Sequence, residues 1–167
     1  SAGEAPHLDK LGSSGWENKK AKARKSAEDL AKNLIELYAR RSVLGGFRCG
    51  PDTVWQKEFE ENFPYVETED QLRAIEDIKR DMESETPMDR LLCGDVGFGK
   101  TEVAFRAIYK CVHNGKQAFM LSPTTLLAHQ HYENFLKRLG DDAINVKLLS
   151  RFVTAKEMRD TLKGIKD

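Results

Sequence analysis

Gly94-Asp95-Val96-Gly97-Phe98-Gly99-Lys100-Thr101 matches the pattern GxxxxGK[ST] in full. Each residue type in it has a physical task. Glycines let the chain wrap tightly, so that backbone N–H groups converge on phosphate oxygens. A helix that opens at Lys100 adds the positive end of its dipole. Lys100 supplies a point charge for the β- and γ-phosphates, and the Thr101 hydroxyl is the ligand for Mg²⁺. At ordinary residue frequencies this pattern arises by chance at roughly 4 × 10⁻⁵ per position. An incidental glycine loop is therefore a weak explanation.

The neighbouring residues supply the context such a loop needs. Arg90-Leu91-Leu92-Cys93 reads as a short buried strand before it, and a helix runs after it to about His113. Asn114-Gly115 is a turn signal. Gln117 to Ser122 reads as a second strand, stopped by Pro123, and Thr125 to Arg138 as a helix. Asn145 to Leu149 reads as a third strand, and Thr154 with Glu157 as the capping box of a last helix. Upstream, Thr68 with Gln71 is another capping box, followed by the stripe Leu72, Ile75, Ile78 and Met82. From residue 68 the order is α-β-α-β-α-β-α. That alternation predicts an α/β fold, a parallel sheet flanked by helices.

Further upstream, Trp55, Phe59 and Phe63 recur at four-residue spacing between Pro51 and Pro64, which predicts a short helix with an aromatic face. Trp16 to about Arg41 contains no Gly or Pro. Ala27, Leu30, Ala31, Leu34, Ile35, Leu37 and Tyr38 fall there at helical spacing, and Gly45-Gly46 is a stop. This long helix is expected to pack as a strut on a neighbour. Its basic first half (Lys19, Lys20, Lys22, Arg24, Lys25) reads as a solvated face before a phosphate-contacting one.

The 167 residues suit one globular domain, or one with an appendage. Hydrophobic residues at 40% exclude a low-complexity disordered chain. No apolar run approaches a membrane span, so no membrane partner is expected. The N-terminus has no apolar signal core, and Cys49, Cys93 and Cys111 show no CxxC spacing. Reduced thiols in a cytoplasmic protein are the simplest expectation. The 27 basic and 27 acidic residues cancel, but unevenly. Residues 1–50 hold ten basic and six acidic, 51–89 four and thirteen, 90–167 thirteen and eight. This permits nucleic acid as a partner without pointing to it.

Several side chains carry two readings. Gln71 closes a helix N-terminus, or its amide reads an adenine edge. Thr124 and Thr125 cap a helix, or with Gln130 they meet phosphates. Arg151 ends a strand in water, or reaches DNA. His129 and His131 sit two apart on a helix, facing different sides, which argues against a metal pair. Trp55 and Phe59 are assigned to packing, and Phe63 is left as a candidate neighbour of a base. Arg40 and Arg41 suit a helix C-terminus.

Leu92 to Ala104, Pro123 to Tyr132 and Ser150-Arg151-Phe152 together resemble the motifs of superfamily 2 DNA helicases. Phe98 in the loop, Thr-Thr-Leu-Leu-Ala after Pro123 and Ser-Arg-Phe favour the transcription-repair coupling factor family. The branch-migration helicase RecG is a near cousin. The resemblance implies a partial RecA-like P-loop NTPase domain preceded by a connector helix. Residues 1–15 would be the tail of an RNA-polymerase-interacting domain or a loop, 16–50 the connector, and 51–167 the N-terminal part of a first RecA-like domain. It implies ATP and Mg²⁺ as cofactors, held by Gly94, Asp95, Val96, Gly97, Phe98, Gly99, Lys100, Thr101 and Glu102, with Phe63 and Gln71 at the adenine. Lys100 and Thr101 would be the catalytic members, and Thr124, Thr125, Gln130 and Arg151 the DNA contacts. In this family the motor tracks double-stranded DNA, pushes on stalled RNA polymerase and recruits an excision-repair damage-recognition protein.

Hydrolysis also needs a second acidic site, and no Asp-Glu dipeptide follows Thr101. The chain reads as a fragment that binds nucleotide without significant turnover. The alternatives are a RecG-like branch-migration motor and a P-loop small-molecule kinase. The kinase would require an arginine-rich lid that the Pro-Thr-Thr stretch does not supply.

Overall fold

The computed structural model describes residues 14–165, the side chain of Ser42 excepted. Six helices occur among the described residues, which separate into two units, one ending at Gly45 and one beginning at Gly46. Of the tail expected at residues 1–15, residues 1–13 lie outside the described residues, and Ser14 and Gly15 belong to the first helix.

The first unit is α1, Ser14–Val43. It begins two residues earlier than the spacing predicts and ends seven before residue 50. Two pairs at i,i+4 support its surface, Arg24 with Glu28 at 3.2 Å and Arg40 with Glu36 at 2.6 Å. A single helix cannot bury an apolar stripe on itself. Leu30, Leu34, Ile35, Leu37 and Tyr38 are exposed.

The second unit begins with α2, Val54–Glu61, whose N-cap Thr53 accepts a hydrogen bond from Gln56 N at 3.3 Å. The aromatic face is split. Phe59 is buried, whereas Trp55 is 61% exposed and does not pack as expected. The buried face of this eight-residue helix carries Gln56 and Phe59, and Trp55 lies off it. α3, Glu69–Met82, starts at the expected capping box: Gln71 N donates to Thr68 Oγ1, and Thr68 N donates to Gln71 Oε1. α4 spans Lys100–His113, α5 Thr125–Leu139 and α6 Ala155–Gly164. The capping box of Thr154 with Glu157 opens α6, which buries no residue.

α4 lies between two apolar clusters. Phe105 and Tyr109 join Phe59 of α2 and Phe135 and Leu139 of α5. Phe59 stacks on Tyr109 with centroids 4.1 Å apart, an arrangement that aromatic rings favour. Val103 joins Ile75 and Ile78 of α3, with Met82, Met88, Leu92 and Ala107 around them. Charges are buried beside these clusters. Lys110 is 2% exposed, and its ammonium donates to Gly50 O at 2.9 Å, Asp52 at 2.7 Å and Glu83 at 2.7 Å. Lys79 donates to Asp52 and Glu60. Burial alone would raise the Asp52 pKa, but the two ammonium groups hold it below the ordinary carboxylate range.

The three expected strands differ from the prediction. Residues 90–93, 117–122 and 145–149 form no β-ladder among the described residues. The side-chain pattern of a strand is nevertheless present at one of them. From Asp142 to Ser150 burial alternates strictly, with Ile144 and Val146 turned onto the aromatic cluster. A ladder needs aligned backbone neighbours as well as a pattern, and a parallel sheet needs both faces covered. Leu91, Phe119 and Leu121 are exposed, so the second face has no cover here.

Candidate nucleotide site

Residues 94–99 carry the chain from the Leu92 contact with the core into the first turn of α4. Gly97 has φ 88° and Gly99 φ 70°, in the left-handed region that favours glycine. Gly99 is also tightly approached. A Cβ there would lie 2.3 Å from Gln71 Nε2. Gly99 is the N-cap of α4 and has no side chain to cap it. Its carbonyl accepts from Glu102 N at 2.9 Å and Val103 N at 3.4 Å. The N–H groups of Lys100 and Thr101 meet no backbone acceptor among the described residues. They stay available at a positive helix end.

Lys100 Nζ donates to Gly94 O at 2.5 Å and Asp95 O at 2.6 Å, both within its own loop. No carboxylate pairs with it among the described residues. Gln71 Nε2 donates to Phe98 O at 2.9 Å while Gln71 Oε1 closes the capping box. The cap reading of Gln71 is thus met, and the same side chain also touches the loop. Val96 and Phe98 point outward, 99% and 62% exposed.

Glu102 departs from its expected place with the phosphate-contacting residues. It is 7% exposed and turned away into an ion cluster. Its carboxylate accepts from Arg106 Nε at 2.9 Å and Arg138 Nη2 at 2.8 Å. One turn into α4, its side chain falls on the buried face beside Val103. Arg106 also donates to Glu67 at 2.5 Å. That hydrogen bond lowers the Glu67 pKa against a smaller cost of burial. Burial works against the Arg106 charge, but hydrogen bonds to Glu67 and Glu102 raise its pKa overall. Phe63 is half-buried with both guanidinium carbons 5.5 Å from its ring centre.

Thr124 caps α5, its Oγ1 accepting from Leu127 N at 3.2 Å. Thr125 follows in the first turn, and Gln130 is exposed further along. Arg151 lies in the turn before α6, over the ring of Phe152 at 4.9 Å. His129 pairs with Glu133 at 3.6 Å on the surface. No group of three His, Cys, Asp or Glu fit to hold a metal occurs among the described residues. No helix among them is long and apolar enough to cross a membrane. A cleft of about 950 Å³ lies between α6 and residues 144–153, and no loop residue lines it.

Sequence reasoning missed Arg106 and Lys110 as buried cations and Arg138 as a half-buried one. For Arg106 a signal was present, because Glu102 stands four residues before it on a helix. Arg138 gave none: its partners, Phe59 and Glu102, are 79 and 36 residues away.

Residues 68–167 match the model of the DEAD/DEAH box helicase family. The transcription-repair-coupling factor of Bacillus subtilis (strain 168) is 56% identical over all 167 residues. Its counterpart from Staphylococcus epidermidis (strain ATCC 12228 / FDA PCI 1200) is 53% identical over 98% of this chain. The chain spans 14% of the length of each of these relatives. Among solved structures, RecG bound to a three-way DNA junction superposes with a TM-score of 0.68 at 34% identity, over 79% of this chain and 18% of RecG. These likenesses imply a RecA-like fold. With its P-loop at Gly94–Thr101 and its match from Thr68 onward, the chain belongs to the DEAD/DEAH box helicase family.

Proposed function

We propose that this chain is the ATP–Mg²⁺-binding part of a double-stranded DNA translocase acting in transcription-coupled DNA repair. The observation that carries it is the uncompensated ammonium of Lys100, in a glycine loop with two positive-φ residues at the N-terminus of α4. A cation without a carboxylate partner, beside free helix N–H groups, suits a polyphosphate. Gly94 to Thr101 would hold the phosphates, and Thr101 the Mg²⁺ that neutralises them. Gln71 and Phe63 would meet the adenine. Residues 90–93, 117–122 and 145–149 would join one parallel sheet when both faces are covered. Thr124, Thr125, Gln130 and Arg151 would contact the backbone of DNA.

In the wider setting, the 56% identity to a coupling factor supports displacement of stalled RNA polymerase and recruitment of a damage-recognition protein, in the cytoplasm. The likeness to RecG supports a second reading, a branch-migration motor. A three-way DNA junction bound in preference to linear duplex would favour that second reading.

Titration calorimetry with ATP–Mg²⁺ tests the first reading. The native chain is expected to bind, and Lys100→Ala to lose binding. Equal binding by both would refute the assignment. Turnover by this chain alone is expected to be insignificant. Measurable ATPase abolished by Lys100→Ala would overturn that expectation.

A further inference from the structure

Arg138 stands in the last turn of α5, far along the helix from Thr124 and Thr125. Its Nη2 donates to Glu102 Oε1 at 2.8 Å and to Phe59 O at 2.8 Å, and its Nε to Glu102 Oε2 at 3.3 Å. The guanidinium lies 4.5 Å over the Phe59 ring. Glu102 directly follows Lys100 and Thr101. Through Arg106 it continues to Glu67, which adjoins the Thr68 cap, and Gln71 of that cap returns to Phe98 O. The contacts form a closed circuit around the loop, and Arg138 is the member that joins it to α5.

We propose that Arg138 is a positioning residue: through Glu102 it fixes the first turn of α4 and transmits occupancy of the phosphate loop to α5. This rests on the nucleotide reading of the loop. Stability alone is a poor reason for this arrangement. Arg138 Nη1 is buried with no acceptor, and a buried ion cluster is seldom better than apolar packing. The fork of Arg138 engages both oxygens of Glu102 through two nitrogens, which the single nitrogen of a lysine does not reproduce. Its partner Glu102 sits where a shift of the helix start moves Lys100 and Thr101 with it.

The test uses this chain with ATP–Mg²⁺, by calorimetry and by hydrogen exchange with and without nucleotide. In the native chain, nucleotide is expected to slow exchange in both α4 and α5. In Arg138→Met, affinity is expected to fall roughly three- to tenfold. Protection is expected to persist in the first turn of α4 and to vanish from α5. Arg138→Lys, which keeps the charge, is expected to recover part of both. Glu102→Gln, which is less disruptive, is expected to reproduce the loss if Arg138→Met does not fold. Tyr109→Phe removes a neighbouring bond to Asp142 and is expected to bind as the native chain does. Native affinity and native α5 protection in folded Arg138→Met, or in Glu102→Gln, would overturn the proposal alone. No binding by the native chain, or native binding by Lys100→Ala, would overturn the nucleotide reading and this proposal with it.

Discussion

Lys100 and Lys110 stand near opposite ends of one helix and use the same ammonium in opposite ways. Lys110 is 2% exposed and meets two carboxylates and a carbonyl. Lys100 meets two carbonyls of its own loop and no carboxylate among the described residues. Both ends of the helix are thus cationic, but only one charge is matched. A matched buried charge holds three segments together: residues 50–52, α3 and α4. An unmatched charge at a helix N-terminus holds nothing but its loop, and it is the group an anion would engage. The difference supports the proposed binding role of Lys100 without appeal to the motif.

The sharpest way to break this contrast is to remove each charge in turn. Lys110→Met leaves Asp52 and Glu83 facing no cation of their own on α4. Unfolding stability is expected to fall by about 3–5 kcal/mol. For a chain of this size that lowers Tm by roughly 10 °C. Nucleotide affinity of the molecules still folded should not change. Lys100→Ala should do the reverse. Stability is expected to move by less than about 0.5 kcal/mol. Nucleotide affinity should drop by about 2–3 kcal/mol, roughly 30- to 150-fold. Denaturant melts and titration calorimetry on both variants read the two effects. A Lys100→Ala variant that unfolds like Lys110→Met would erase the distinction.

Gly99→Ala probes the boundary between the two roles. Its φ of 70° resists a side chain, and the new Cβ would collide with Gln71 Nε2. The expected cost is about 1–2 kcal/mol, as strain at the helix start. Gln71→Ala in the same background should relieve part of that cost, because it removes the colliding amide. A double-mutant cycle with no coupling between the two sites would contradict the close approach.

The contrast also has a pH dependence. Asp52 and Glu67 have pKa values depressed in the folded chain by Lys110, Lys79 and Arg106. A depressed folded pKa contributes stability that is complete above the unfolded value, about 3.9 for Asp and 4.3 for Glu. It is lost as pH falls through the folded value. Stability should therefore decline below about pH 4. Asp52→Asn, less stable at neutral pH, should show a shallower decline. The same slope in both would mean that Asp52 does not feel its lysines.

How much of this was legible in the sequence depended on the range of the interaction. Features carried by three or four consecutive residues were readable: the glycine loop, the capping boxes at Thr68 and Thr154, and the ends of α3 and α4. A glycine-to-helix junction announces itself because its chemistry is local. The Glu102 to Arg138 contact was not readable, since nothing in either segment names the other. Trp55 and Phe59 looked equivalent by spacing, yet only Phe59 found Tyr109 and Phe135. The third strand was legible as pattern and none as ladder. Period-two burial at 142–150 belongs to the segment itself, whereas hydrogen bonding belongs to its neighbours.

The smallest expected effect bears on that last point, because the two capping boxes are locally alike and differ in what their helices pack against. Thr68 and Thr154 each accept from the N–H three residues on, with Gln71 or Glu157 answering. Each cap replaced by Ala should cost its own helix about 1 kcal/mol. In α3 the helix buries Ile75 and Ile78, so fraying is coupled to the core and Thr68→Ala should lower global stability by that amount. α6 buries nothing, so its unfolding is nearly independent of the rest. Thr154→Ala should therefore leave the global melt within about 0.3 kcal/mol of native and raise amide exchange only in residues 155–164. Equal global losses from the two substitutions would mean that α6 packs more firmly than its exposed face indicates.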